Sequence, residues 1–151
     1  MGVSIRNARK EDMEAVLGLI QELADYEKAG DEVVVTKDEL ELDGFGPNKV
    51  FDCIVADLDG KVIGFALFYT SYSTWKGKSL YLEDFLVTEK HRRKGIGEML
   101  FNSVYEIAKE RNVRRFEWQV LDWNTPAINF YKKQAAHLDE TWINCKLFPS
   151  N

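Results

Sequence analysis

Leu82-Glu83-Asp84-Phe85-Leu86-Val87, followed after a short link by Arg92-Arg93-Lys94-Gly95-Ile96-Gly97, decides how this chain of 151 residues is read. The first half belongs to an apolar, aromatic strand pattern running from Leu80 to Val87. The second half is basic and glycine-rich. It opens an amphipathic helix whose Ile96, Met99, Leu100, Val104, Ile107 and Ala108 share one face. The first N–H groups of a helix have no intrahelical partner and carry partial positive charge. Gly95 and Gly97 let an anion approach the backbone, and Arg92, Arg93 and Lys94 add charge. Such a turn suits a pyrophosphate. It lacks the Gly-Lys-Ser/Thr ending of a nucleotide P-loop and the first glycine of G-x-G-x-x-G. Taken alone, it equally describes a glycine-capped helix with basic residues in solvent.

Working outward, Val50 to Leu58 and Lys61 to Tyr72 read as strands. Asp59-Gly60 between them is a hairpin signal, because type I′ turns need positive φ. Lys76-Gly77-Lys78 makes the next turn, so the central strands form an antiparallel meander. Upstream, Val3 to Asn7 is a first strand. Met13, Val16, Leu17, Ile20, Leu23 and Ala24 form a helical stripe that Gly30 is expected to stop. Thr36 with Glu39 reads as a capping box for a short second helix ending near Gly44. Downstream, Arg114 to Leu121 is a strand. Asn124-Thr125-Pro126 starts a helix through Lys133, and Leu138 to Phe148 is expected to be the last strand. These elements predict an α+β fold: one domain over 1–151, with a mixed, mostly antiparallel sheet flanked by helices.

Composition narrows the function. Apolar residues are 45% and charged residues 30%, the balance of a globular protein. No apolar run reaches the ~20 residues of a membrane-spanning helix, and the N-terminus has no apolar signal segment, so a cytoplasmic location without membrane attachment is expected. Position 6 is Arg, which argues against reading Met1-Gly2 as a myristoylation start. The net charge of −5 argues against nucleic acid as a partner. Cys53 and Cys145 are expected to be reduced, buried thiols, and neither the cysteines nor the two histidines have metal-ligand spacing. Residues 11 to 43 hold twelve acidic and two basic side chains, whereas residues 90 to 115 hold eight basic and three acidic ones. One region suits a cation and another an anion, although solvated helix faces could account for either cluster.

The two segments quoted first closely resemble the central motif of the GCN5-related N-acetyltransferase superfamily. Within it the chain resembles the spermidine/spermine (diamine) acetyltransferase family. The likeness extends through Leu23-Ala24-Asp25-Tyr26-Glu27, Asp43-Gly44-Phe45-Gly46, Tyr72-Ser73-Thr74-Trp75-Lys76-Gly77, Asp122-Trp123-Asn124 and Asn129-Phe130-Tyr131-Lys132-Lys133. Tyr72 to Gly77 and Leu121 to Asn124 look more like the thialysine-acetylating branch. The resemblance implies an enzyme with acetyl-CoA as cosubstrate and no metal, a small cationic amine as acceptor, and a homodimer. It implies two splayed central strands, with Phe85, Leu86 and Val87 pairing with the pantetheine arm. The turn from Arg92, Arg93, Lys94, Gly95, Ile96 and Gly97 to Glu98 would then hold the diphosphate, and Asn124, Thr125, Pro126 and Ala127 would also touch the donor. Tyr26, Glu27, Glu83, Glu117, Trp118 and Gln119 match positions lining the substrate site. Where the family often has Gly-Ala after the tyrosine helix, this chain has Ala135-Ala136, so that helix end is expected to avoid left-handed geometry.

Acetyl transfer to an amine sets three tasks. The amine must lose its proton, and at pH 7 a lysine-like amine of pKa ~10.4 is free base in about one molecule in 2,500. By period-two alternation Glu83 shares a strand face with Tyr81, Phe85 and Val87, and it is the expected base; Asp84 would point to the other face. The thioester oxygen gains charge and needs a donor, for which the Phe85 or Val87 N–H is suited. The leaving thiolate needs a proton, and the resemblance gives Tyr131 that role, a phenol of pKa ~10 being protonated at pH 7. Without the resemblance, Phe130 and Tyr131 read as core aromatics. Two alternatives stay open: a protein lysine or N-terminus as acceptor, and a non-catalytic acyl-CoA-binding domain.

Overall fold

The computed structural model describes residues 2–150. The chain forms two compact units, one up to Gln119 and one from Val120 onward.

The first unit is built on a five-stranded sheet in the order β1-β2-β3-β4-β5. The strands are β1 (Val3–Asn7), β2 (Asp52–Leu58), β3 (Lys61–Ser73), β4 (Gly77–Val87) and β5 (Arg115–Glu117). The first four pair antiparallel, whereas β4 and β5 run parallel. Asp59 and Gly60 turn the β2–β3 hairpin with φ of 51° and 93°, the positive values that the Asp-Gly signal requires. In the β3–β4 turn the Ser73 hydroxyl accepts the backbone N–H groups of Trp75 and Lys76.

Helices α1 (Met13–Tyr26) and α2 (Lys37–Phe45) lie on one side of the sheet, and α3 (Ile96–Glu110) on the other. Neighbouring residues of β3 show this. Phe65 joins the buried cluster of Met13, Val16, Leu19 and Leu40, while a side chain on Gly64 would run into Leu100 of α3. The predicted capping box of α2 is present: Glu39 N–H donates to Thr36 Oγ1 (3.1 Å), and Thr36 N–H donates to Glu39 Oε1 (3.0 Å). Gly30 does not end α1. Lys28, at φ 63°, takes the left-handed position, and Ala29 N–H closes on the Ala24 carbonyl.

In the second unit, α4 (Thr125–Lys133) is capped by Asn124, whose side chain accepts the Ala127 N–H, and it carries Pro126 in its first turn. Its end corrects the sequence expectation. Ala135 sits at φ 61°, Ala135 N–H donates to the Lys132 carbonyl, and Ala136 N–H donates to that of Tyr131. This is the left-handed terminus that glycine usually supplies. The expected strand over Leu138 to Phe148 is absent: among the described residues, no helix or strand follows α4. Asp139 accepts hydrogen bonds from the Thr141 N–H, the Thr141 hydroxyl and the Trp142 indole N–H, and this local turn diverts the backbone from a ladder. Trp142, Ile143 and Leu147 are exposed. Cys145, on the same segment, is exposed rather than buried, while Cys53 is buried as expected and its thiol is pushed up to about 12 by burial. Strand β5 is shorter than predicted, covering only Arg115–Glu117.

Candidate active site

The ladder between β3 and β4 holds the decisive irregularity. Leu67 pairs with Asp84 and Phe68 with Leu82, so Glu83 is an extra residue on β4, a β-bulge. A bulge resets the alternation of side chains. Asp84, opposite Leu67, lies on the same face as Tyr81, opposite Tyr69. Phe85 lies on the α3 face, where its ring is 6.0 Å from that of Phe101. The simple alternation that put Glu83 with Phe85, and Asp84 on the other side, is therefore corrected by the register.

An acidic and aromatic cluster results. The rings of Tyr69 and Tyr81 are 5.4 Å apart, and the Tyr69 hydroxyl donates to Glu83 Oε1 at 3.5 Å. Glu83 is exposed, whereas Asp84 is partly buried. Burial pushes the Asp84 carboxyl up to about 7, with help from the charges of Glu83 and Glu27. Tyr81 is pushed up to about 12, again mainly by burial and then by Glu83. Glu117 acts on both tyrosines, and Glu27 is itself raised by burial. Carboxylates that repel one another in a partly dry site favour an incoming cation. Of the sequence-predicted acceptor residues, Glu27, Glu83 and Glu117 belong to this cluster. Trp118 packs on Phe101 (5.2 Å) and Phe116 (5.0 Å). Tyr26 lies beneath the Arg92 guanidinium (5.7 Å), and Gln119 is exposed near the end of the unit. Period-two alternation put Asp84 on the opposite face and did not pair Tyr69 with Tyr81. A bulge leaves no periodic signature, so the sequence did not show that Asp84 shares their face.

The pairing of β4 with β5 ends just before the bulge. Their parallel ladder covers Ser79–Tyr81 against Arg115–Glu117, whereas β4 runs on to Val87. Phe85, Leu86 and Val87 lie on the part of β4 that β5 does not pair, where the resemblance implies splayed strands.

At the end of β4 stands the first turn of α3. Gly95 caps it at φ 79°, with no side-chain cap, and a Cβ there would meet nothing within 4 Å. The amide end of a 15-residue helix thus opens through glycine, with Arg93 and Lys94 exposed beside it, and Ile96 buried to anchor it. The residues present fit a diphosphate. Arg92 behaves differently. Its Nε donates to the Val87 carbonyl (2.8 Å) and its Nη2 to Glu22 (3.1 Å), which ties it to the loop. Glu22 also accepts the Thr88 hydroxyl and the Glu89 N–H, a role no motif announced.

In the second unit, Asn124, Thr125, Pro126 and Ala127 form the start of α4. Tyr131 is buried, with its ring 5.6 Å from that of Phe130. Among the described residues no cluster of His, Cys, Asp and Glu could hold a metal ion, and no helix is long and apolar enough to cross a membrane.

A mixed sheet whose short parallel pair ends beside a glycine-capped helix is an architecture shared with solved acetyltransferases. The sequence profile of the "Acetyltransferase (GNAT) family" matches residues 16–136. Over 142 residues the chain is 40% identical to the thialysine N-epsilon-acetyltransferase of Bos taurus, covering 89% of this chain and 84% of that protein. An integron cassette protein of V. cholerae superposes with a TM-score of 0.79 at 27% identity, over 98% of this chain and 93% of the other. An aminoglycoside N-acetyltransferase crystallised with CoA shares the fold (TM-score 0.77, 20% identity, 96% and 94% coverage). The chain belongs to the GNAT acetyltransferase family, and it is an N-acetyltransferase.

Proposed function

We propose that this enzyme transfers the acetyl group of acetyl-CoA to a primary amine of a small cationic molecule, of the thialysine, lysine-like or diamine kind. The carrying observation is the bulged face of β4, which gathers Asp84 and Glu83 with Tyr69 and Tyr81 and brings Glu27 near enough to act on Asp84 by its charge. A relative named for thialysine at 40% identity supports the acceptor class.

In this reading the cluster attracts the ammonium form, and Asp84 accepts its proton. A base whose pKa lies near the operating pH combines availability with driving force. Glu83, exposed and held at the Tyr69 hydroxyl, binds the cation and passes the proton towards solvent. The Phe85 or Val87 N–H steadies the developing oxyanion. The Tyr131 phenol donates a proton to the departing thiolate. The backbone at Gly95 to Glu98, with Arg93 and Lys94, holds the diphosphate, and Asn124 to Ala127 make further donor contacts. Arg92 orders the loop. Acetyl-CoA supplies an activated thioester, so these residues have only to orient, deprotonate and stabilise.

The enzyme acts as a single catalytic domain over 1–151 and as a homodimer in the cytoplasm. Exposed Tyr72 and Trp75 on the β3–β4 turn offer apolar surface for the subunit contact, and a monomeric mass at micromolar concentration would remove this part. The decisive test assays thialysine, lysine, polyamines, lysine peptides and an N-terminal peptide with acetyl-CoA for free-thiol release. Small dicationic or zwitterionic amines give the highest kcat/KM. Preference for the peptides would overturn the acceptor assignment.

A further inference from the structure

We propose that Glu22 is a positioning residue for the donor: it fixes the loop at residues 88–92 so that the first turn of α3 meets the diphosphate. The inference rests on the reading above that this turn seats acetyl-CoA.

One carboxylate receives three donors from one short loop. Thr88 Oγ1 lies at 2.8 Å, Glu89 N at 3.0 Å and Arg92 Nη2 at 3.1 Å. Arg92 then reaches back to the Val87 carbonyl and lies over the Tyr26 ring. Glu22 and Tyr26 are four residues apart and so share one face of α1. That helix is rooted in the core by Met13, Val16 and Leu19. Both ends of the loop are thereby referenced to a rigid element.

The loop needs such a reference. Arg93 adopts φ 64°, a left-handed conformation that a residue with a Cβ keeps only where its surroundings over-determine it. The Glu22 bonds turn Arg92 inward and leave Arg93 and Lys94 exposed beside the glycine cap. An isolated ion pair about one-third exposed on each side contributes little to stability, but convergent bonds on a loop fix its geometry. Strand β4 and helix α3 carry their own buried contacts, so loss of Glu22 disturbs the loop more than the fold.

The test compares wild type, Glu22→Gln and Thr88→Val. Calorimetry with coenzyme A is set beside turnover of acetyl-CoA and of S-acetyl-N-acetylcysteamine, a thioester without diphosphate. Glu22→Gln weakens coenzyme A binding and raises the acetyl-CoA KM by about tenfold, because misplacing a binding group by a fraction of an ångström is costly. Its kcat stays within about threefold, and its kcat/KM for the truncated thioester stays within about twofold. Thr88→Val shifts the same quantities in the same direction by about threefold, and it carries the test if Glu22→Gln does not fold. Unchanged coenzyme A binding in the folded variants, or an equal loss with the truncated donor, overturns the role of Glu22. Wild type giving no heat with coenzyme A would instead overturn the donor-site reading beneath it.

Discussion

Asp84 stands directly across the β3–β4 ladder from Leu67, and that pairing places its carboxyl on the face of Tyr69 and Tyr81. With its carboxyl raised to about 7, Asp84 is protonated below that pH and cannot take a proton from the amine. The enzyme without substrate therefore loses kcat/KM as pH falls through about 7. Asp84→Asn lowers kcat/KM by roughly 10²–10⁴-fold and abolishes that acid limb. Glu83→Gln keeps the limb, moved to lower pH because one repelling charge is gone, and mainly raises the amine KM. A pH–rate profile of each variant decides between the two carboxylates; a limb lost with Glu83→Gln and kept with Asp84→Asn would return the base role to Glu83.

The same carboxyl affects stability. Its folded-state value near 7 exceeds the ordinary 3.8, so between these values the folded state binds more protons than the unfolded one. Stability falls as pH rises through that window, and the loss is complete above about 7. Asp84→Asn removes the ionisation and gains about 1–2 kcal/mol at pH 8, which is lost near pH 4. Thermal melts at both pH values check this, and equal shifts at the two would count against a buried, repelled carboxylate. A more stable and less active variant is the expected mark of a site tuned for charge.

How far the sequence could be read depends on how local each cause is. The Asp59-Gly60 hairpin, the Thr36–Glu39 capping box and the amphipathic α3 rest on neighbouring residues, and each forms where the residues put it. The glycine-capped turn before α3 was equally legible, because its physics lies within a few residues. The bulge at Glu83 was not, since it is defined by β3 as much as by β4. Nor was the Glu22 hub, whose partners lie 66 to 70 residues away. The segment from Leu138 shows the opposite failure: its apolar content suited a strand, but Asp139 offers three nearby donors a closer partner.

The end of α4 offers a test of backbone physics alone. Ala135 holds φ 61°, a left-handed conformation that costs a residue with Cβ about 1–2 kcal/mol. Ala135→Gly removes that penalty but adds backbone freedom to the unfolded chain, leaving a gain of about 1 kcal/mol. A melting temperature roughly 2–4 °C higher is expected, with turnover unchanged. A lower melting temperature would show that the alanine methyl contributes more than its backbone strain costs.

A Tyr131→Phe variant tests the proposed proton donation apart from binding. A phenol that protonates the leaving thiolate matters only as the C–S bond breaks, so Tyr131→Phe lowers kcat by roughly 10²-fold or more while coenzyme A affinity stays within about twofold. The ring remains to fill the same buried position beside Phe130. Equal loss of binding and turnover would make Tyr131 a packing residue instead.

Charge and backbone at the donor loop can be told apart by salt. Arg93 and Lys94 are exposed, so their attraction for a diphosphate is screened, with the Debye length shrinking from about 30 Å at 0.01 M salt to about 8 Å at 0.15 M. Arg93→Gln combined with Lys94→Gln therefore weakens coenzyme A binding strongly at low salt and only mildly at physiological salt. Gly95→Ala acts through geometry: a Cβ there has room, but φ 79° strains it, so the turn shifts and the helix amides lose their aim. Its loss of affinity persists at every salt concentration. If both variants showed the same salt slope, the backbone amides would not be making a contact separate from the side-chain charges, and α3 would be holding its ligand by field alone.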